Sequence, residues 1–264
     1  MEVGTCVPRR ILQPCSLEGH TYQIDPYVGC EHDCRYCYAL NDAESDWTKR
    51  IQIHGDLRRR LIGELEGIPP QSIYVGMNSD PYQPVEGTQH QTRAVLELLA
   101  ERRFDVCVLT KSPLITRDLD VFRAMDDSYL GFSIAFQNEE ARRLFERNAP
   151  PNAERLRALA TLQDAGIRTY VLVCPVMPEI TDVEAVIEMV APLVERVYVY
   201  PLRMEAETDV NWRNVKRVLS RSRPELVEAY RRIAFSAEDS YWRALRTRLS
   251  EMRAPRGVAV TIEV

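Results

Sequence analysis

Three of the chain's seven cysteines, Cys30, Cys34 and Cys37, lie within eight positions in the stretch GCEHDCRYCYAL, residues 29–40. Thiolates are the soft ligands taken by zinc and by iron–sulfur clusters. The C-x3-C-x2-C spacing offers three ligands and no fourth beside them. A structural zinc site closes with four protein ligands, so zinc here needs His32 or a distant histidine. A fully protein-ligated [4Fe–4S] cluster needs a fourth cysteine; Cys6, Cys15, Cys107 and Cys174 have the chemistry, and none belongs to the loop. The third reading is a cubane on three cysteines, with one iron open to a small molecule as in an open catalytic metal site. The cysteines are too sparse and uneven for a disulfide scaffold, and a tight cluster in a reducing compartment reads as metal or redox chemistry.

Other reactive side chains stand at the ends of apolar runs. NSDP supplies Asn78, Ser79 and Asp80, and an Asp-Pro turn accounts equally for Asp80 and Pro81. Lys111 is one of three lysines against thirty-one arginines; it either faces a ligand or snorkels at a rim. Ser133 is a ligand contact or a strand serine bonded to backbone. Arg155 is a ligand contact or a solvated helix arginine. Cys174, beside Pro175, is a hydrogen donor, a modification site or core, and Cys107 reads as core.

The elements that position these residues alternate. Strand-like runs cover 21–28, 72–78, 105–111, 130–136, 169–176 and 196–202, with amphipathic stretches such as 92–103 and 153–166 between them. Six strand–helix units predict an α/β fold with a parallel sheet covered by helices. Six are too few for a closed eightfold barrel, so an open, partial (β/α)6 barrel of the TIM type is expected, with ligands at the C-terminal ends of its strands. Helices over about 224–235 and 237–252 and a last strand at 258–264 follow. The expected organisation is an N-terminal extension, 1–20, the barrel, 21–203, and a C-terminal helical region with the terminal strand, 204–264, packed on the same domain.

The 264 residues are 45 % apolar and 28 % charged, ordinary for a soluble enzyme. No apolar run reaches membrane-spanning length and the N-terminus resembles no signal peptide, so a cytoplasmic protein without a membrane partner is expected. Net charge is −5, yet residues 211–257 hold twelve Arg and Lys against five Asp and Glu. That segment is either a solvated helical face or a docking surface for a phosphate-bearing partner.

The cysteine loop, with Tyr36 in the aromatic slot of C-x3-C-x2-aromatic-C, resembles the radical S-adenosylmethionine (SAM) superfamily. YQIDPYVGCEHDCRYCYA is similar to the signature of its spore photoproduct lyase-like branch, often described as related to DNA repair photolyases, with Asp25 in place of the usual Asn. GMNSDPYQPVE (76–86), LTKSPLITRDLD (109–120), the stretch 132–159 and CPVMPEITD (174–182) extend the resemblance over roughly residues 20–185. Two further positions depart from the branch: Glu179 replaces a Gly, and Glu146-Arg147 stands where Glu-Pro is frequent. The donor cysteine that true spore photoproduct lyases carry near the second-strand motif is also missing.

The resemblance implies a [4Fe–4S] cluster on Cys30, Cys34 and Cys37, SAM on the open iron, and a 5′-deoxyadenosyl radical that abstracts hydrogen. It also implies an external one-electron donor of the flavodoxin or ferredoxin type. Tyr36, Asn78, Ser79, Asp80, Lys111, Ser133 and Arg155 become SAM contacts: Asp80 for the ammonium, Lys111 or Arg155 for the carboxylate. Cys174 becomes the candidate catalytic thiol. The net negative charge and the missing donor cysteine favour a small-molecule or peptide substrate. The basic C-terminal segment speaks for a nucleic acid instead. A non-catalytic metal-binding module is the reading from another class.

Overall fold

The computed structural model describes residues 1–43 and 46–264. Its strands are β1 (Glu2–Cys6), β2 (Leu12–Pro14), β3 (Tyr22–Ile24), β4 (Tyr27–Val28), β5 (Arg50–His54), β6 (Ser72–Val75), β7 (Asp105–Thr110), β8 (Tyr129–Ser133), β9 (Arg168–Val176), β10 (Arg196–Pro201) and β11 (Ala259–Ile262). Eight of them form a mostly parallel sheet in the order β2–β3–β6–β7–β8–β9–β10–β11. The six strands expected from the apolar runs are β3, β6, β7, β8, β9 and β10, neighbours in chain order. β2 and β11 end the order, so the sheet is open, as six units require. Consecutive residues are buried in β7 (Val106, Cys107, Val108), β8 (Leu130 to Ser133) and β9 (Thr169, Tyr170, Val171), as in strands covered on both faces.

By compactness the chain divides in two. Residues 1–32, 43–132 and 153–169 make the first unit; residues 33–42, 133–152 and 170–264 make the second. In the first unit β6 pairs in parallel with β3 and with β7, while β2 runs antiparallel to β3. In the second, β10 pairs in parallel with β9 and with β11.

The run 21–28 is not one strand. It breaks after Ile24 at Asp25-Pro26, because proline donates nothing to a ladder. Beyond the break, β4 joins β1 and β5 in a separate three-stranded sheet of order β1–β5–β4. The sequence reading names no strand at β1 or β5 and no helix at Leu57–Glu64 or Val210–Ser222, and all four are present. The helix Val210–Ser222 buries Trp212, Val215 and Leu219 at helical spacing and leaves a polar face outward. The helix Asn152–Asp164 ends as expected before Gly166, whose φ of 76° is the left-handed conformation that follows many helices. Among the described residues, no helix is long and apolar enough to cross a membrane.

Candidate active site

The cysteine loop starts in the first unit, at a crowded glycine. Gly29 has a φ of 96°, and a Cβ there would lie 2.7 Å from the Arg50 carbonyl and 2.9 Å from that of Trp47. Any larger residue forces the loop off β5. Gln83, wholly buried, then holds the next residues from both sides: its amide donates to the Gly29 carbonyl at 2.9 Å and accepts from the Glu31 amide at 2.9 Å. Sequence reasoning assigned nothing to Gln83, although it lies inside the second-strand motif.

Where β3 ends, the Asp25 carboxylate organises the turn after β6. It accepts from the Asn78 amide at 2.8 Å, the Asn78 side chain at 2.8 Å and the Ser79 amide at 3.1 Å. Burial raises the Asp25 pKa, and these donors only partly offset it. The Ser79 hydroxyl donates to the Tyr27 carbonyl at 2.8 Å. Gly76 permits the turn: its φ is 96°, and a Cβ would meet Pro81 at 2.6 Å.

Asp80 is the hub of this turn. One oxygen accepts from the Thr110 hydroxyl at 2.6 Å and the Tyr82 amide at 2.8 Å. The other accepts from the Lys111 amide at 2.7 Å and lies 3.0 Å from His32 Nε2. That last contact is an ion pair by distance, with the ring N–H poorly aimed for a hydrogen bond. Burial opposes ionisation of Asp80, yet the His32 charge and the donors outweigh it and hold its pKa down at about 2. The Asp-Pro turn is therefore real, and it also carries the end of β7. Arg155 is 0 % exposed, so the solvated-arginine reading is corrected: a guanidinium in that position needs acceptors within the fold.

In the second unit the loop continues through Cys34, Tyr36 and Cys37. The Tyr36 hydroxyl makes a very short hydrogen bond to Glu146 Oε1, and Glu146 is 0 % exposed. Backbone pairing adds to it: Cys34 bridges to Glu146, and the Arg35 amide donates to the Phe145 carbonyl at 2.7 Å. Arg142 in turn donates to the carbonyls of Glu146 at 2.9 Å and Ala149 at 2.8 Å. Glu146 therefore fixes the aromatic residue of the cysteine motif. Sequence reasoning missed this role, and the signal was the acid itself, kept where only the following proline is lost.

Ser133 is buried at the end of β8, and Cys174 is half-buried in β9 rather than part of the core. Cys107, in β7, is core as expected. Glu179 has a φ of 60°, the left-handed conformation that suits the glycine usual there.

A family model described as the Radical SAM superfamily matches residues 24–190. The chain belongs to the radical SAM superfamily. It is 28 % identical over 233 residues to an uncharacterized protein of Methanocaldococcus jannaschii, covering 86 % of each chain. An uncharacterized protein of Mycobacterium tuberculosis is 27 % identical over 232 residues, 80 % of this chain and 66 % of that one. Among solved structures, a spore photoproduct lyase variant aligns with a TM-score of 0.72 at 17 % identity, over 99 % of this chain and 82 % of that one. A radical SAM methyltransferase from Kitasatospora setae, with cobalamin and a [4Fe–4S] cluster bound, aligns with a TM-score of 0.55 at 16 % identity, over 74 % of this chain and 36 % of that one. At these identities the likenesses establish the fold.

Radical SAM enzymes use a [4Fe–4S] cluster and SAM, and the residues present fit both. Cys30, Cys34 and Cys37 are half-buried thiols, none in a disulfide. Among the described residues, no three Cys, His, Asp or Glu side chains converge on one ion position. His32 is engaged with Asp80 rather than completing a zinc site. Cys6 Sγ lies 3.5 Å from His54 Nδ1, and Cys15 Sγ accepts from the Leu17 amide at 3.4 Å.

Proposed function

We propose that this radical SAM enzyme holds its cluster on Cys30, Cys34 and Cys37 and uses SAM to abstract hydrogen from an organic substrate. When bound, cluster and SAM supply reductive cleavage of the sulfonium and a 5′-deoxyadenosyl radical. The protein contributes placement and exclusion of water. The observation that carries this reading is the fixed loop: Gln83 holds residues 29–31, and Glu146 holds residues 34–36.

The side chains proposed for SAM divide by what they already do. Asp80 has four protein contacts, so its part is to shape the turn and hold the Lys111 amide. Ser79 acts alongside it through backbone. Asn78 and Tyr36 contact SAM directly, Lys111 and Arg155 supply cations for its carboxylate, and Ser133 adds a hydroxyl. Cys174, half-buried on β9, is the thiol placed to meet a substrate radical. The barrel region 21–203 carries this chemistry and 204–264 completes the substrate side, in a reducing compartment such as the cytoplasm. An external flavodoxin- or ferredoxin-type donor delivers the electron.

A small molecule or peptide was the first expectation for the substrate. One observation favours a nucleic acid instead, the unpaired cations of the helix Val210–Ser222. The test of the radical reading is anaerobic: reconstituted, dithionite-reduced protein converts SAM to 5′-deoxyadenosine and methionine, and Cys34→Ala abolishes both this and the cluster's absorbance. Iron-loaded wild-type protein that never forms 5′-deoxyadenosine defeats the proposal.

A further inference from the structure

The C-terminal basic segment is not uniform. On its later helices four of the five cations are used internally, Arg243 being the exception. Arg231 pairs with Glu207 at 3.0 Å, Arg248 pairs with Glu184 at 2.9 Å, Arg232 pairs with Asp239, and Arg246 donates to the Val264 carbonyl at 2.7 Å. The helix Val210–Ser222 differs. Its sequence, VNWRNVKRVLSRS, contains Arg213, Lys216, Arg217 and Arg221 with no acidic residue, and Arg223 follows directly. Among the described residues, none of these five side chains meets a carboxylate or any other partner.

Three of them are in line. Arg213, Arg217 and Arg221 are exposed and spaced four residues apart, on one face of the helix. At 1.5 Å of rise per residue they stand about 6 Å from one another along the axis. Like charges at that spacing repel one another and destabilise a helix. Among the described residues no carboxylate pairs with these three to offset that repulsion.

We propose that this face docks the phosphate backbone of a nucleic acid. Evenly spaced guanidinium groups match a regular polyanion and hold it through charge and bidentate hydrogen bonds. A protein partner needs more: interfaces between proteins bury an apolar core. Among the described residues the exposed large apolar side chains are Met1, Val3, Val7, Val28 and Tyr38, and none lies on this helix. An acidic electron donor is therefore the weaker match.

The face also sits where a substrate would be presented. The Asn211 amide, in the first turn of the helix, donates to Asn41 Oδ1 at 3.1 Å, and Asn41 lies four residues past Cys37. The first turn of the helix that carries the cations is thus tied to the segment just after Cys37. The inference names a partner for the proposed enzyme, but its evidence is charge and exposure rather than cofactor chemistry.

The test is fluorescence anisotropy with the full chain and a labelled single strand of about 20 nucleotides, at several salt concentrations, since each phosphate contact adds about 0.7 to the salt slope. The triple variant Arg213→Gln, Arg217→Gln, Arg221→Gln should flatten the slope by about 2, because three contacts are lost. Between about 50 and 200 mM salt the wild type should then lose about 20-fold more affinity than the variant. A control, Arg231→Gln with Arg248→Gln, should keep nearly the wild-type slope. Formation of 5′-deoxyadenosine from SAM should be unchanged in the triple variant, so docking can fail while the radical reading stands, and the reverse. A wild-type slope in the triple variant, or an equal loss in the control, overturns the proposal. So does a triple variant that binds the strand normally but is no longer reduced by flavodoxin.

Discussion

Charge is handled in opposite ways at the turn around Asp80 and along the helix Val210–Ser222. At the turn a buried carboxylate meets four protein groups and is held ionised by them. Along the helix and just past it, Arg213, Lys216, Arg217, Arg221 and Arg223 meet none among the described residues. A saturated buried network cannot rearrange without leaving a polar group unpaired, so it fixes geometry. An unsaturated exposed row costs some stability and has free hydrogen-bonding capacity, so it suits recognition. The turn positions; the helix recruits.

The largest test of that contrast removes the hub. Asp80→Ala leaves His32, the Thr110 hydroxyl and the Lys111 amide buried without their acceptor, and breaking a buried pair typically costs about 3–5 kcal/mol. Urea denaturation of the apo-protein measures it. The acid side gives the sign: the folded pKa of about 2 lies below the ordinary carboxylate value, so the stabilisation is full at neutral pH. It is lost as pH falls from about 4 toward the folded value. Wild type should lose stability in that window and Asp80→Ala much less. Equal stability at neutral pH would show that the turn is not a network at all.

A smaller effect is expected where the loop is held from the other side. Tyr36→Phe strips a buried carboxylate of its phenol donor, a loss of about 1–3 kcal/mol. Glu146→Gln keeps an acceptor for the hydroxyl and should cost less. Reconstituted Tyr36→Phe protein should also lose iron faster on dilution into chelator. Iron retention equal to wild type would remove Glu146 from the account of the loop.

How far these two regions were legible in the sequence depends on what each one uses. The cysteines, the six parallel strands and the glycine after residue 164 are local signals: spacing, β-branched runs and helix ends. The metal-binding character of the loop and the alternation of strands and helices are therefore legible locally, whereas the radical reading came from the family resemblance. Gln83 and Glu146 were missed because their partners are distant in sequence, 52 residues separating Gln83 from Glu31 and 110 separating Glu146 from Tyr36. An Asp-Pro turn predicts the bond from Asp80 to the Tyr82 amide but not the ones to Thr110 and His32. The basic segment showed as composition. Only the pairing of Arg231, Arg232, Arg246 and Arg248 separates it into a satisfied part and an unsatisfied one. The helix Val210–Ser222 itself was missed because its buried apolar residues, Trp212, Val215 and Leu219, are few and its exposed face is rich in cations.

Asp25 sharpens the positioning side of the comparison. Its donors are all neutral, so burial prevails and its pKa is raised, opposite to Asp80 a few ångströms of backbone away from the same turn. A raised carboxylate contributes its stability below the unfolded pKa of about 4 and loses it as pH rises through the folded value. Asn is the residue usual at this position in the resembling branch, and its amide still accepts from the Asn78 and Ser79 backbone. Asp25→Asn should match wild type near pH 4 and exceed it near neutrality, by no more than about 1 kcal/mol. Urea midpoints at the two pH values measure the gain. A variant less stable at pH 7 would mean that a second charged partner, not burial, governs Asp25.

The smallest effect belongs to the helix, and it has the opposite sign from the usual result of mutation. Arg217 stands four residues from both Arg213 and Arg221, so two like-charge pairs meet at it. Arg217→Gln removes both repulsions, each worth roughly 0.2–0.5 kcal/mol, and should stabilise the fold by about 0.4–1 kcal/mol. Added salt should erase much of the difference, because exposed charges are screened. Thermal denaturation at low and high salt shows both effects. The same substitution at a recruiting face should weaken oligonucleotide binding while raising the melting temperature, which is what a residue retained for recognition rather than stability does. A variant that loses stability would mean that Arg217 has an internal partner, and the helix would then be as saturated as the turn.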